Sequence, residues 1–315
     1  MEHRNLGATG LKTSVAGLGC NNFGRRCDAR ITAAIVERAL GLGVTFFDTA
    51  DVYGPRGLSE EYLGQALEGH RHQVVLASKV GSPMGDDPLS TGASRRHIVD
   101  ACRDSLRRLR TDYIDLYQIH FPDPHTPIEE TMRALDDLVR AGHVRYIGCS
   151  NFPAWQVVEA QWTARAFHGA KLVSTQDQYS LLDRRVEREL TPVCEKYGLS
   201  LIPYYPLASG LLTGKYRQGE PLPAGTRLAL SGPNASRFLT DRNWQVVEAV
   251  RRFAESAGRP MVEIALAWLA TRPAVDVVIA GATSPEQVEQ NVRALEWKMT
   301  ADEAQEVERI TARRD

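Results

Sequence analysis

Eight short segments rich in Val, Ile, Leu, Phe or Tyr punctuate this 315-residue chain, with amphipathic helical stretches between them. They are Val15–Gly19, Val44–Asp48, Val74–Lys79, Tyr113–His120, Val144–Ser150, Leu172–Gln176, Ser200–Tyr204 and Val275–Ala280. Each is too short for a helix and reads as a strand. Strands that alternate with helices imply parallel β-α units joined by right-handed crossovers. Eight such units predict an α/β fold, a closed (β/α)8 barrel, in preference to an open doubly wound sheet. The lack of a GxGxxG between an early strand and its helix points the same way. No linker divides the chain, so a single domain over residues 1–315 is expected.

The helices carry their own punctuation. Thr126-Pro127-Ile128-Glu129 offers a Thr cap followed by Pro at the first helical position. Ile128, Met132, Leu135 and Val139 then share one face, and Gly142 stops the helix. Ser94 opens a second helix with Ile98, Ala101, Cys102, Ser105 and Leu109 along its buried stripe. Ser284-Pro285-Glu286-Gln287 repeats the capping logic. The stretch from Arg217 to Arg242 has no clear period and reads as a long loop at the catalytic face, a candidate lid.

Composition excludes several function classes. With 38 basic and 39 acidic residues, no charge excess favours nucleic acid. No apolar run approaches the roughly 20 residues of a membrane span. The start MEHRNLGATG lacks a signal-peptide pattern, so a soluble, cytoplasmic protein is expected. Cys20, Cys27, Cys102, Cys149 and Cys194 form no C-x-x-C pair, which argues for buried reduced thiols and no metal site. No exposed apolar stripe stands apart from the barrel pattern, so the sequence assigns no oligomeric state.

In a β/α barrel, functional side chains project from the C-terminal strand ends. Those positions hold Asp48, Lys79 and His120, and Tyr53 follows five residues after Asp48. Taken singly, each has an ordinary reading: a turn carboxylate, a salt-bridged lysine, a rim histidine. Together they have a chemical meaning. Tyrosine is a poor proton donor near neutrality, with an ordinary pKa of about 10. A neighbouring ammonium favours the tyrosinate, and a carboxylate can hold that ammonium in place. Such a tyrosine can protonate a developing alkoxide.

The run Phe47-Asp48-Thr49-Ala50-Asp51-Val52-Tyr53-Gly54, Lys79 and Asp115-Leu116-Tyr117-Gln118-Ile119-His120 resemble the aldo-keto reductase superfamily over essentially the whole chain. The resemblance implies a (β/α)8 barrel of the TIM type that binds a nicotinamide dinucleotide without a Rossmann domain. It implies Tyr53 as general acid, Lys79 and Asp48 as the groups that tune and position it, and His120 as orienting the carbonyl or assisting proton relay. Gly19, Cys20, Asn21, Asp48 and Tyr53 then border the nicotinamide. Ser150, Asn151 and Gln176 would hold its carboxamide, and Tyr204 would stack on its ring. Tyr205, Pro206, Leu207, Ala208, Ser209 and Gly210 would cradle the pyrophosphate, with Lys215 adding charge. Read alone, Ser209–Lys215 is a weak phosphate-loop signal, because Tyr216 stands where G-x-x-x-x-G-K-[ST] needs a hydroxyl. Asn22, Phe23 and Phe121 would wall the substrate pocket.

The adenosine end corresponds to Gly281, Thr283, Gln287, Gln290 and Asn291. No Lys or Arg lies between Gly281 and Asn291, a pattern similar to voltage-gated potassium channel β-subunits and related bacterial reductases. Arg227 is then the candidate cation for a 2′-phosphate, and NADP is expected over NAD because that phosphate needs one. Four activities fit these residues. The first is NADPH-dependent reduction of aldehydes or ketones. A nicotinamide-binding redox sensor and an NAD-dependent alcohol or sugar dehydrogenase are the nearest others. A Schiff-base enzyme built on Lys79 would leave the nucleotide features without purpose.

Overall fold

The eight segments do wrap into one barrel, and a ninth and tenth strand precede it at a place the periodicity did not mark. A computed structural model describes residues 1–312. A hairpin of β1 (His3–Asn5) and β2 (Lys12–Ser14) comes first. The barrel strands are β3 (Ala16–Gly19), β4 (Phe46–Asp48), β5 (Val75–Val80), β6 (Ile114–Ile119), β7 (Val144–Ser150), β8 (Leu172–Gln178), β9 (Ser200–Tyr204) and β10 (Val278–Gly281). They lie in sequence order, all parallel, with β10 returning beside β3. A bond from Leu201 N–H to the Ala274 carbonyl (2.7 Å) joins β9 to the segment that leads into β10. The result is a nearly closed (β/α)8 TIM barrel. Strand bounds move by at most three residues from expectation, most at the eighth, where Val275–Ala280 becomes Val278–Gly281.

The barrel interior is filled by Phe46, Val75, Ala77, Leu116, Ile202, Val277 and Ile279, all buried. Leu6, from the hairpin, completes this cluster and plugs the end where the strands begin. Ser14 N–H bonds to Thr45, Gly7 N–H to Asp276 and Ala8 N–H to the Gly198 carbonyl, so the hairpin is tied to the N-terminal ends of three strands. Two three-residue strands with no alternating apolar run are too short to register as periodic.

Outside the barrel lie α1 (Ala29–Gly41), α2 (Leu58–Ala66), α3 (Arg95–Leu109), α4 (Ile128–Arg140), α5 (Ala154–Ala166) and α6 (Leu190–Tyr197). Further along come α7 (Arg227–Leu230), α8 (Asp241–Ser256), α9 (Met261–Ala270), α10 (Pro285–Glu296) and α11 (Ala301–Thr311). Ser94 caps α3 by accepting the His97 N–H, and the expected stripe from Ile98 to Leu109 is buried. Two caps differ from expectation. Pro127, not Thr126, occupies the cap of α4, because the Thr126 hydroxyl donates to Asp123 instead (2.7 Å). At α10 Ser284 sits at the cap without a side-chain bond, and Gln287 Oε1 reaches back to the Thr283 N–H (2.9 Å). The supposed loop from Arg217 to Arg242 contains α7 and a 3-10 turn over Gly232–Arg237, and Asp241 already begins α8. These elements are too short for a period to show.

Candidate active site

Register places the chemistry-bearing residues on one rim. Across β10, β3 and β4, Gly281, Gly19 and Asp48 stand side by side; Lys79 pairs with Gln118, and Ser150 with Gln176. All lie at C-terminal strand ends, where the loops leave a cleft of about 920 Å3. That volume suits a large small-molecule ligand.

At its floor Lys79 is fully buried. Its Nζ donates to Asp48 Oδ2 (2.7 Å) and to the Thr49 carbonyl (2.8 Å), and lies 3.5 Å from the Tyr53 hydroxyl. The other carboxylate oxygen, Asp48 Oδ1, accepts from Gln176 Nε2 (2.8 Å). The charge pair is thus dry, bonded on both sides and aimed at one phenol. Burial pulls the Lys79 ammonium down, but Asp48 and Tyr53 outweigh it and hold the group protonated. Burial pushes the Tyr53 phenol above its ordinary value, with Lys79 pulling the other way. This corrects the expectation of a lowered tyrosine: desolvation disfavours the phenolate more than one ammonium favours it. Tyr53 therefore stands as a neutral hydroxyl, a donor.

The Tyr53 loop is fixed from below. The Ser59 N–H bonds to the Tyr53 carbonyl (3.0 Å), Ser59 and Thr49 share a hydroxyl bond, and Ser59 Oγ donates to the Cys20 carbonyl (2.8 Å). Glu60, buried beneath, accepts from Arg108 Nε and Ser78 Oγ. Asp51 is buried beside this group with neither carboxyl oxygen bonded, and burial followed by the Glu60 charge pushes it up to about 8.

His120 meets the Tyr53 ring edge-on at 5.6 Å and stacks on Phe121 at 4.9 Å. Its Nδ1 lies 3.2 Å from Ser82 Oγ. Burial, then the nearby Lys79 charge, pushes it down to about 3. An imidazole that stays neutral at pH 7 can offer a hydrogen bond to an oxygen but carries no proton to give away as an acid.

Gly19, Cys20, Asn21, Asn22, Asp48, Tyr53, Phe121, Asn151 and Gln176 all line the cleft. So do Tyr204, Tyr205, Pro206, Leu207, Ser209, Gly210, Lys215, Arg227, Gly281, Thr283, Gln287, Gln290 and Asn291. Other expected residues sit behind this wall. Phe23 is fully buried and anchors its loop instead of facing a substrate. Ala208 is buried as well. The Ser150 hydroxyl donates to the Gln176 carbonyl (2.7 Å) and accepts from Asn151 Nδ2 (2.9 Å), so Asn151 alone faces the cleft there. Lys79 lies beside Tyr53, and His120 stacks beside Phe121.

Backbone strain concentrates at this rim. Asn151, Tyr205, Ala208 and Ser209 have φ of 61°, 51°, 46° and 57°, half of the eight non-glycine residues with positive φ among the described residues. Each such conformation costs on the order of 1–3 kcal/mol and persists where the surroundings impose it. At Asn151 it lets one side chain donate to the His120 carbonyl and accept from the Tyr204 hydroxyl (2.7 Å).

Sequence reading missed further lining residues: Arg25 and Arg26 after β3, and Leu230, Ser231 and Arg237 from the long β9–α8 connection. The arginines carried a signal, since adjacent cations follow a strand end. Arg26 Nη2 donates to the Gly225 carbonyl (3.1 Å), tying the two loops together. The cleft's cations are Arg25, Arg26, Lys215, Arg227 and Arg237, and none is ion-paired among the described residues. Its one carboxylate, Asp48, is taken by Lys79. A cleft so charged attracts a polyanion.

A parallel β/α barrel with a buried Lys-Asp pair under a tyrosine and a cationic cleft across its top is the architecture of a barrel oxidoreductase. A sequence model of the Aldo/keto reductase family matches residues 16–312, and the chain belongs to that family. A probable voltage-gated potassium channel subunit beta of Oryza sativa subsp. japonica is 38% identical, over 94% of this chain and 92% of its own. The uncharacterized oxidoreductase YrpG of Bacillus subtilis is 37% identical, covering 94% and 91%. An L-glyceraldehyde 3-phosphate reductase of Escherichia coli is 33% identical, covering 94% and 88%. The chain is an oxidoreductase of carbonyl substrates, in a family that generally uses nicotinamide cofactors. Among the described residues no helix is long and apolar enough to cross a membrane.

Proposed function

We propose that this protein is a single-domain NADP-dependent reductase that converts aldehydes or ketones to alcohols, with Tyr53 as the general acid. The observation that carries the reading is the dry Lys79–Asp48 pair directed at the Tyr53 hydroxyl. The nicotinamide cofactor, when bound, supplies the hydride. Asn151 and Gln176 are the polar groups available to a carboxamide, and Tyr204 and Tyr205 the aromatic faces beside them. Tyr53 donates its proton to the carbonyl oxygen as negative charge develops there, and the Lys79 ammonium stabilises the phenolate left behind. Neutral His120 offers that oxygen a second hydrogen bond. Five buried free thiols suit a reducing, cytoplasmic setting.

NADP is favoured over NAD because an unpaired cation of the cleft is available to a 2′-phosphate. Arg227, stacked 4.7 Å over the Tyr205 ring, is the group assigned to the 2′-phosphate. Arg227→Ala is expected to raise the KM for NADPH about tenfold or more and leave that for NADH unchanged, as steady-state kinetics with both nucleotides will read. Equal losses would remove the assignment.

The pH profile follows from the two shifted groups. His120, pushed down to about 3, is neutral throughout pH 5–8, so reductive kcat/KM should show no break near the ordinary histidine value. Tyr53, shifted upward, stays protonated through that range, and reduction should decline only at alkaline pH as the proton is lost. A limb near pH 6.5 that disappears in His120→Gln would contradict the neutral role.

The name of the rice relative, a probable channel subunit, favours a second reading, a regulatory subunit, which with this cleft would sense bound nucleotide. It predicts tight nucleotide binding with turnover too slow to matter for any carbonyl, which the loss of nicotinamide absorbance with NADPH and a carbonyl panel decides.

A further inference from the structure

Two of the cleft's cations, Arg25 and Arg26, stand on one turn. The turn after β3 is locked by bonds from the N–H groups of Arg25, Arg26 and Cys27 to the Asn22 carbonyl (3.2, 2.9 and 3.1 Å), and from Gly24 N–H to the Cys27 carbonyl (2.9 Å). Phe23 and Cys27 are buried, and Asn22 Nδ2 donates to the Ala282 carbonyl (3.1 Å), so the turn is rigid and only its two arginines are free of it. They serve different neighbours. Arg26 reaches the Gly225 carbonyl, two residues from Arg227, on the nucleotide side. Arg25 follows Gly24, whose backbone abuts the segment just beyond Tyr53: a Cβ at Gly24 would come within 2.5 Å of Leu58 Cβ and 3.4 Å of Gly54 Cα. Arg25 thus leaves the turn next to the segment that follows Tyr53 and lines the cleft, exposed, with no side-chain hydrogen bond and no ion pair among the described residues.

A guanidinium carried into the cleft by a rigid turn that packs against the loop following Tyr53, without an anion of its own among the described residues, is built to meet one on the substrate. We infer that Arg25 selects carbonyl substrates bearing a carboxylate or phosphate at the end away from the reacting carbon. The inference rests on the reductase reading and adds the substrate class. Arg25 takes no part in proton transfer; it positions the substrate through its anionic end, and it acts on KM more than on kcat.

The test pairs each anionic substrate with a neutral analogue: 4-carboxybenzaldehyde with methyl 4-formylbenzoate, and glycolaldehyde phosphate with glycolaldehyde. With NADPH saturating, the wild type should favour the anionic member of at least one pair about tenfold in kcat/KM, and the favoured pair identifies carboxylate or phosphate as the source. Arg25→Ala should abolish that preference through KM, Arg25→Lys should keep part of it, and the neutral analogues should be unaffected. Equal rates within both pairs for the wild type, or a preference that survives in Arg25→Ala, overturns the inference. So does a raised KM for NADPH in Arg25→Ala with substrate preference unchanged, which would put Arg25 on the nucleotide. If no compound is reduced, the reductase reading fails. Calorimetric binding of 4-carboxybenzaldehyde and its ester, and of glycolaldehyde phosphate and glycolaldehyde, to the NADP-loaded wild type and Arg25→Ala protein then still decides whether Arg25 prefers the anion.

Discussion

Replacing Tyr53 with Phe is expected to lower kcat for carbonyl reduction by about 10²–10⁴-fold, the usual worth of a positioned general acid. The substitution removes one oxygen and keeps the ring that meets His120 edge-on and lies 4.9 Å from the Lys79 ammonium. Packing and nucleotide affinity should therefore be unchanged, because no cation or amide of the cleft is altered. A single-turnover experiment at saturating NADPH separates the two quantities. Loss of nucleotide binding together with turnover would mean that Tyr53 shapes the cleft and does not donate the proton.

Lys79→Met should affect both activity and stability. The ammonium is the partner of a carboxylate that is itself buried, and removing one member of such a pair costs about 3–5 kcal/mol because the other is left uncompensated. For a chain of this size that lowers Tm on the order of 10 °C. Turnover should fall with it, since the phenolate formed when Tyr53 gives up its proton loses the Lys79 charge beside it. Asp48→Asn in the same chain removes the stranded charge. The double variant should recover much of the Tm, measured by calorimetry, and none of the turnover. Recovery of turnover would show that the pair serves folding alone.

Strong periodicity and helix punctuation made the barrel legible, because eight buried parallel strands leave continuous apolar runs and α3 declares its cap at Ser94. The hairpin at His3–Ser14 was illegible because three-residue strands have no period, and its role depends on tertiary bonds to Thr45 and Asp276. The candidate site could be read from strand ends, since side chains at Asp48, Lys79 and His120 must share a rim once the barrel closes. What strand position does not reveal is which way a residue next to that rim turns. Phe23 and Ser150 lie at the expected rim yet are directed into the protein, whereas Arg25 and Arg26 close a tight turn that exposes them. Nor could spacing foretell that Gln176 would bond the Asp48 carboxylate, because that contact joins β8 to β4 across the barrel. The shift of Tyr53 was misjudged for a related reason: the ammonium is visible in the sequence, and the depth of burial that outweighs it is not.

The most direct test of the account is the loss of near-ultraviolet nicotinamide absorbance when the purified protein meets NADPH, and separately NADH, with a panel of aldehydes and ketones that includes anionic members. Consumption that needs the carbonyl, runs faster with NADPH than with NADH and collapses in Tyr53→Phe is the predicted result. NADPH bound tightly and never consumed with any carbonyl would contradict it and leave the nucleotide-sensing reading in its place.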